Sequence, residues 1–216
     1  MNDLSNIIDH IRAELESRSD VRDGAIRRSR QLIRHCANSI RAMHRGEFEH
    51  ASKLLEAARQ DAALMVHDIQ GYPGVYRAGY TQDSLKELVE ACAVYAMLHY
   101  EAIPAPDALG VAVDYPAYLK GLAEAASEMR RAILDTIRKG DLERGEMLLE
   151  KMQEVYAAMT TIDFPDAVTG GLRRTTDSLR AVLERTRGDL TVTKQQEKLR
   201  QALARLEDRM RDAEQG

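Results

Sequence analysis

Residues 85–98 read LKELVEACAVYAML, and from Leu88 to Leu98 every residue is apolar except Glu90. Glu87 stands three positions before it, so on a helix the two carboxylates share a face. A charged carboxylate on so apolar a helix is costly to bury unless something pairs with it. A second acidic pair, Glu124 and Glu128, has i,i+4 spacing in LKGLAEAASEMRRAI. Like charges at that spacing repel by roughly a few tenths of a kcal/mol, so local helix stability does not account for them. Two acidic pairs on two largely apolar helices point to a hard divalent cation held inside a helical bundle.

The remaining composition leaves little besides helix. Ala, Leu, Glu and Arg dominate, β-branched runs are scarce, and there are two Phe and no Trp in 216 residues. The fold class expected is all-α, with ample core for one large domain. The net charge of −4 carries no global basic signature, although local patches are what bind nucleic acid. Cys36 and Cys92 lie within helical patterns and read as small buried hydrophobes, not a disulfide framework. The N-terminus, MNDLSNIIDHIRAELE, is amphipathic and mixed in charge, unlike a signal peptide, and no apolar run approaches a membrane span. A soluble cytoplasmic protein is the expectation.

In chain order, capping and periodicity predict helices over about Leu4–Ser17 and Gly24–Arg45, with Asp20 or Asp23 capping the second. Further helices are expected from Glu47 to Asp68, from a Thr81 or Asp83 cap to about Tyr100, and from just after Asp114 to Gly140. The last three run over about Leu142–Met159, Leu172–Arg187 and Thr191–Asp212. Within the second, Arg27, Arg30, Arg34, Arg41 and Arg45 fall in roughly one sixth of the circumference. The loop GYPGVYRAGYTQD adds Arg77 and three tyrosines, Tyr72, Tyr76 and Tyr80. In the last helix Leu199, Leu203, Leu206 and Met210 repeat at 4, 3, 4, either as packing within the subunit or as a seam to another one.

Laid against itself at an offset of 94, the chain repeats. RGEFEHASKLLE at 45–56 matches KGDLERGEMLLE at 139–150 with five identities, and TQDSLKELVE at 81–90 matches TTDSLRAVLE at 175–184 with five. The pattern suggests duplication of a three-helix unit within a single domain over 1–216, with halves at about 24–100 and 118–190. Under that offset Glu87, Glu124 and Glu128 fall on Ala181, Arg30 and Arg34, whereas Glu90 falls on Glu184. Positions where the halves diverge in charge are where chemistry is expected.

Each constellation has a plainer reading beside the functional one. The four glutamates are either oxygen ligands for Mg²⁺ or Mn²⁺, which would activate water at a phosphate, or surface charge with Glu128 paired to Arg130 or Arg131. The arginine stripe either follows a nucleic-acid backbone, with the tyrosines stacking bases, or is a solvated face. His10, His35, His44, His50, His67 and His99 form no zinc spacing and read as boundary or core residues.

Three segments together resemble the translin and TRAX (translin-associated factor X) family, in its archaeal-type single-subunit form. They are VYRAGYTQDSLKELVEA, DYPAYLKGLAEAASEMRRAILDTIRKGD and DFPDAVTGGLRRTTDSLRAVLERTRGDLT, within roughly residues 20 to 190. The resemblance implies a seven- or eight-helix antiparallel bundle or superhelix, a hollow homo-octamer, and binding of single-stranded or short duplex RNA and of single-stranded DNA. In TRAX, acids on two helices hold a divalent metal and cleave RNA; translin lacks most of that set and mainly binds. Position by position, the TRAX acids fall on Glu87, Glu90, Glu124 and Glu128, with Glu124 standing where the family has Asp. A basic residue of the family falls on Arg30, and its aromatic and basic loop on Tyr76 and Arg77. The expectation is an endoribonuclease dependent on Mg²⁺ or Mn²⁺, ligated by Glu90 and Glu128, with Glu87 and Glu124 completing the site. Arg27, Arg30, Arg34, Arg41, Tyr76 and Arg77 would hold the nucleic acid. The alternatives are a non-catalytic RNA- or DNA-binding oligomer and a purely structural one.

Overall fold

A computed structural model describes residues 2–99 and 101–215, and helix accounts for 87% of the described residues. Eight α-helices follow in order: α1 (Asn2–His44), α2 (Phe48–Asp68), α3 (Pro73–Tyr76), α4 (Gly79–His99), α5 (Tyr115–Lys139), α6 (Leu142–Thr160), α7 (Asp166–Thr169) and α8 (Leu172–Gln215). A 3₁₀ turn at Pro106–Leu109 lies between α4 and α5, and no strand occurs among the described residues. The expected end of α4 at Tyr100 lies outside the described residues.

The apolar run of residues 88–98 is the middle of the molecule. Helix α4 packs against α1, α2 and α5, and Leu85, Leu88, Ala93 and Val94 are wholly shielded from water. Burying one such leucine is worth about 1.5–3 kcal/mol. Facing them, α5 offers Gly121, with Ala125 one turn on, small residues that let the two backbones approach. Residue 121 must be glycine for that: a Cβ there would lie 2.7 Å from the Lys86 carbonyl oxygen and 2.7 Å from Val89 Cβ. One buried cluster runs on through α6 and α8, by way of Leu148, Met152, Leu179 and Leu183.

The element order repeats. A helix pair, a one-turn helix and a third long helix appear first as α1–α4 and again as α5–α8. The one-turn helices begin with Pro73 at the first position of α3 and just after Pro165 at α7, within the two loops matched by sequence. This is the order a duplication would leave.

Two expected breaks are absent. Helix α1 runs unbroken through Ser17–Gly24, and neither Asp20 nor Asp23 caps anything. Tertiary contact carries it through: Ala25 is buried with Ile69 and Val75, Val21 packs beside them, and the Ser17 hydroxyl meets the Tyr72 hydroxyl at 3.0 Å. Helix α8 likewise passes Gly188 without stopping. Leu190 is fully buried, and Arg130 of α5 holds Asp189 at 2.8 Å, so the intended turn is pinned as helix. Nor do Thr81 and Asp83 cap α4, which starts at Gly79; the buried Thr81 hydroxyl donates to the Val75 carbonyl at 2.8 Å and fixes the α3–α4 corner. The stops at Gly46 and Gly140 stand as expected, each with φ near +78° (78° and 77°), a left-handed conformation that glycine adopts without strain.

Candidate metal and nucleic-acid site

Spacing on α4 places Glu87 and Glu90 one turn apart, and the close crossing at Gly121 brings the next turn of α5 beside them. Carboxylate oxygens of Glu87, Glu90 and Glu124 all lie within 4.8 Å of one another, each partly buried. Cys36 of α1 lies across from them: burial first, then Cys92, Glu87 and Glu90, pushes its thiol well above the ordinary range, so it stays an inert core residue.

Three carboxylates this close repel one another unless a cation or a proton intervenes. The chain supplies both. Lys86, adjacent to Glu87, extends its ammonium to Glu124 and lies 3.1 Å from Glu87. Burial opposes the charge on Lys86, and the bonds to Glu124 and Glu87 outweigh it, holding its pKa above the usual value. Glu90 takes the proton. Burial, and then the charges of Glu87 and Glu124, push its carboxyl from 4.5 up to about 8.

Glu128 is engaged differently. Its Oε1 is hydrogen-bonded at 2.7 Å to Nε2 of His44, a side chain only 2% exposed at the C-terminal end of α1. The pairing with Arg130 or Arg131 that the plainer reading offered does not form; Arg130 turns to Asp189 and Thr186 on α8. Glu128 is still near enough that its charge adds to the pressure on Glu90. Its duplication-related comparison is also informative: Glu184, the counterpart of Glu90, is exposed and paired with Arg187. The two retained glutamates therefore sit in unlike surroundings.

Lys86 and His44 are the residues that sequence reasoning passed over. Lys86 was visible as a cation next to Glu87 inside the apolar helix. His44 carried no spacing signal, because its partner lies 84 residues away.

The donor set suits a hard cation. Mg²⁺ and Mn²⁺ take carboxylate oxygens, and opposite ligands of a six-coordinate Mg²⁺ stand roughly 4 Å apart. Glu87, Glu90 and Glu124 come within that scale, and the place of positive charge among them is already taken up by the Lys86 ammonium.

The arginines form an exposed edge beside this cluster. At about 100° per residue, Cys36 points to the core and His44 lies about 80° to one side, toward α5. His35 and Arg28 lie to the other side, where they hold Asp61 at 2.8 Å and Asp68 at 2.9 Å on α2. Arg30, Arg41, Arg34 and Arg27 begin about 40° beyond His44, on the flank shared with the acids. All four are exposed; Arg27, Arg30 and Arg34 enter no ion pair among the described residues, and Arg41 only donates to Asn38. Arg45 is held by Glu47 at 2.7 Å. Arg77 is exposed as well. The tyrosines differ from expectation: Tyr72, Tyr76 and Tyr80 pack on the small Ile69–Val75 cluster. The Tyr76 hydroxyl donates to Ala112 O and Asp114, so its ring is a corner brace and not a free stacking face.

Comparison with known proteins agrees with this architecture. A crystal structure of the C3PO of Archaeoglobus superposes with a TM-score of 0.80 at 31% identity, over 87% of this chain and 96% of that one. The chain belongs to the C3PO family of translin/TRAX-type proteins. A second structure of that C3PO, in complex with duplex RNA, matches at 30% identity with a TM-score of 0.76 and the same coverage. The C3PO of Nematostella, at 22% identity and a TM-score of 0.77 over 86% of this chain, shares the C3PO fold. An uncharacterized protein of Methanocaldococcus jannaschii is 29% identical over 209 residues, 96% of this chain and 90% of that protein. No family model matches the chain. As the resemblance implies, the regular structure among the described residues is all helix, and no helix among them is long and apolar enough to cross a membrane.

Proposed function

We propose that this C3PO-type chain is a divalent-metal-dependent endoribonuclease acting on single-stranded or short duplex RNA within a homo-oligomer, an octamer in the family pattern. The observation that carries the reading is the convergence of Glu87, Glu90 and Glu124 on one point between α4 and α5. The duplex-RNA complex of the Archaeoglobus relative supports RNA as the partner. A bound Mg²⁺ or Mn²⁺ would supply a polarised water and stabilise charge developing on the phosphate. Glu87, Glu90 and Glu124 would hold it. Glu128, fixed by His44, would stand ready to accept a proton from water at its free oxygen. The flank of Arg27, Arg30, Arg34 and Arg41, with Arg77, would carry the RNA backbone past the acids.

One observation favours a second reading, a non-catalytic RNA or single-stranded DNA binder: Lys86 already neutralises the cluster that a metal would enter. Short single-stranded RNA incubated with the protein separates the two. Cleavage in Mg²⁺ or Mn²⁺ that stops in EDTA and in Glu124→Gln, with binding retained, is the result expected of the nuclease. Undiminished RNA without cleavage in any metal leaves the binder.

Binding itself has a salt signature. Arg30→Ala combined with Arg34→Ala is expected to weaken RNA affinity and lower the slope of log K against log salt by about 1.4, some 0.7 per lost phosphate contact on a single strand. An unchanged slope, read by fluorescence anisotropy, would remove the stripe from the interface.

A further inference from the structure

Lys86 is buried deeper than the acids it holds. Its side chain is 16% exposed, against 26% for Glu87 and 36% for Glu124. Lysine is seldom taken so far out of water without partners, and here two carboxylates supply them. The ammonium donates to Oε2 of Glu124 on α5 and lies 3.1 Å from Oε1 of Glu87. Among the described residues no other cation pairs with either acid, and Glu90 enters no ion pair. The carbonyl of Lys86 borders Gly121, so the ammonium is tethered within the α4–α5 crossing and always within reach of the acids.

The pairing is of a kind that exchanges. A lysine ammonium is a compact charge on a flexible four-carbon stem, and it can leave without moving the helix. It serves two of the three acids. A divalent ion among Glu87, Glu90 and Glu124, whose oxygens lie within 4.8 Å of one another, would engage all three. Ion and ammonium would draw on the same two carboxylates, and like charges that close repel, so one excludes the other.

We propose that Lys86 is a tethered competitor for the divalent ion, holding Glu87 and Glu124 in the metal-free protein and giving up both when the ion is bound. This rests on the metal-dependent reading above and adds what regulates that site. The lysine keeps the acids together without metal, and it sets the metal concentration at which the site loads. A competitor on the same chain, at high effective concentration, lowers the apparent affinity for every divalent ion alike. Removing its charge therefore raises metal affinity while lowering the stability of the metal-free protein. Loss of a ligand or of a scaffold residue would lower both.

Two measurements on the full chain test this. The first is acetylation of wild type by acetic anhydride, read by peptide mass spectrometry in EDTA and in saturating Mn²⁺, with Lys53, 73% exposed, as the reference. Lys86 is expected to be protected in EDTA and labelled several-fold faster in Mn²⁺. No variant is involved, so no folding defect enters. The second is calorimetric titration of Mn²⁺ into wild type, Lys86→Met and Lys86→Arg. Lys86→Met is expected to bind about tenfold tighter or more, and to melt below wild type in EDTA. Lys86→Arg keeps the charge and is expected to stay near wild type. Mn²⁺ bound by wild type with Lys86 labelling unchanged overturns the proposal and leaves the metal site standing. So does a Lys86→Met affinity equal to wild type or weaker. Mn²⁺ bound by neither wild type nor Lys86→Met overturns the metal reading itself, and the proposal with it.

Discussion

Replacing Glu90 by Gln is expected to stabilise the metal-free protein at neutral pH while abolishing metal-dependent cleavage. In the fold Glu90 holds its proton up to about pH 8, against an ordinary value of 4.5. Between those values the folded chain binds a proton that the unfolded chain releases. Stability therefore falls as pH rises from about 5 to 8, and levels off on either side. Gln mimics the protonated acid and removes that slope. The gain at pH 7 is on the order of 2 kcal/mol after allowing for screening by Lys86 and water, or about 4–8 °C in melting temperature for a chain of this size. A divalent cation reverses the sign, because it favours ionised Glu90 and displaces the proton. Mn²⁺ should raise the wild-type melting temperature more at pH 8 than at pH 6, and leave the Gln variant nearly unmoved. Melting curves across this range in EDTA and in Mn²⁺ decide the matter. A Gln variant less stable than wild type at pH 8 in EDTA would refute the burial argument. Cleavage falling less than about 100-fold would take Glu90 out of the metal site.

The second large effect lies at the α4–α5 crossing. Gly121→Val is expected to cost about 3 kcal/mol or more, a fall of at least about 6 °C, because its Cβ alone would meet the Lys86 carbonyl and Val89 at 2.7 Å. The helices must part where Glu124 meets Lys86 and Glu87, so Mn²⁺ affinity by calorimetry should fall about tenfold or more alongside stability. Gly188→Ala is the matched control. It sits within α8 with nothing near the added Cβ and no positive φ, and should stabilise by about 0.5–1 kcal/mol. Should Gly121→Val melt like wild type, the crossing is looser than described.

These two sites show what the sequence makes legible. Glu90 stood out because a carboxylate inside LVEACAVYAML has no cheap explanation, and helical spacing alone joined it to Glu87. That α5 delivers Glu124 rather than Glu128 to the same point depends on a backbone approach at Gly121, and no spacing rule reports which helices cross there. The helix class and the stops at Gly46 and Gly140 follow from local propensity. The joins at Ser17–Gly24 and Arg187–Thr191 do not: local signals for a break were outweighed by Ile69 and Val75 on one side and by Arg130 on the other. The hydroxyl bonds of Tyr76 were not legible either, since its partners, Ala112 and Asp114, lie more than thirty residues away.

The unbroken α1 has one more consequence. A helix is usually treated as one cooperative unit of opening, yet this one begins among solvent-surrounded residues 4–15 and ends in turns where Leu32 and Cys36 have no exposed surface. Amide protection must therefore climb along a single hydrogen-bonded ladder, from fraying at one end to global unfolding at the other. Exchange would register first in the amides of the early turns, while those around Leu32 still exchanged at the rate set by the whole molecule.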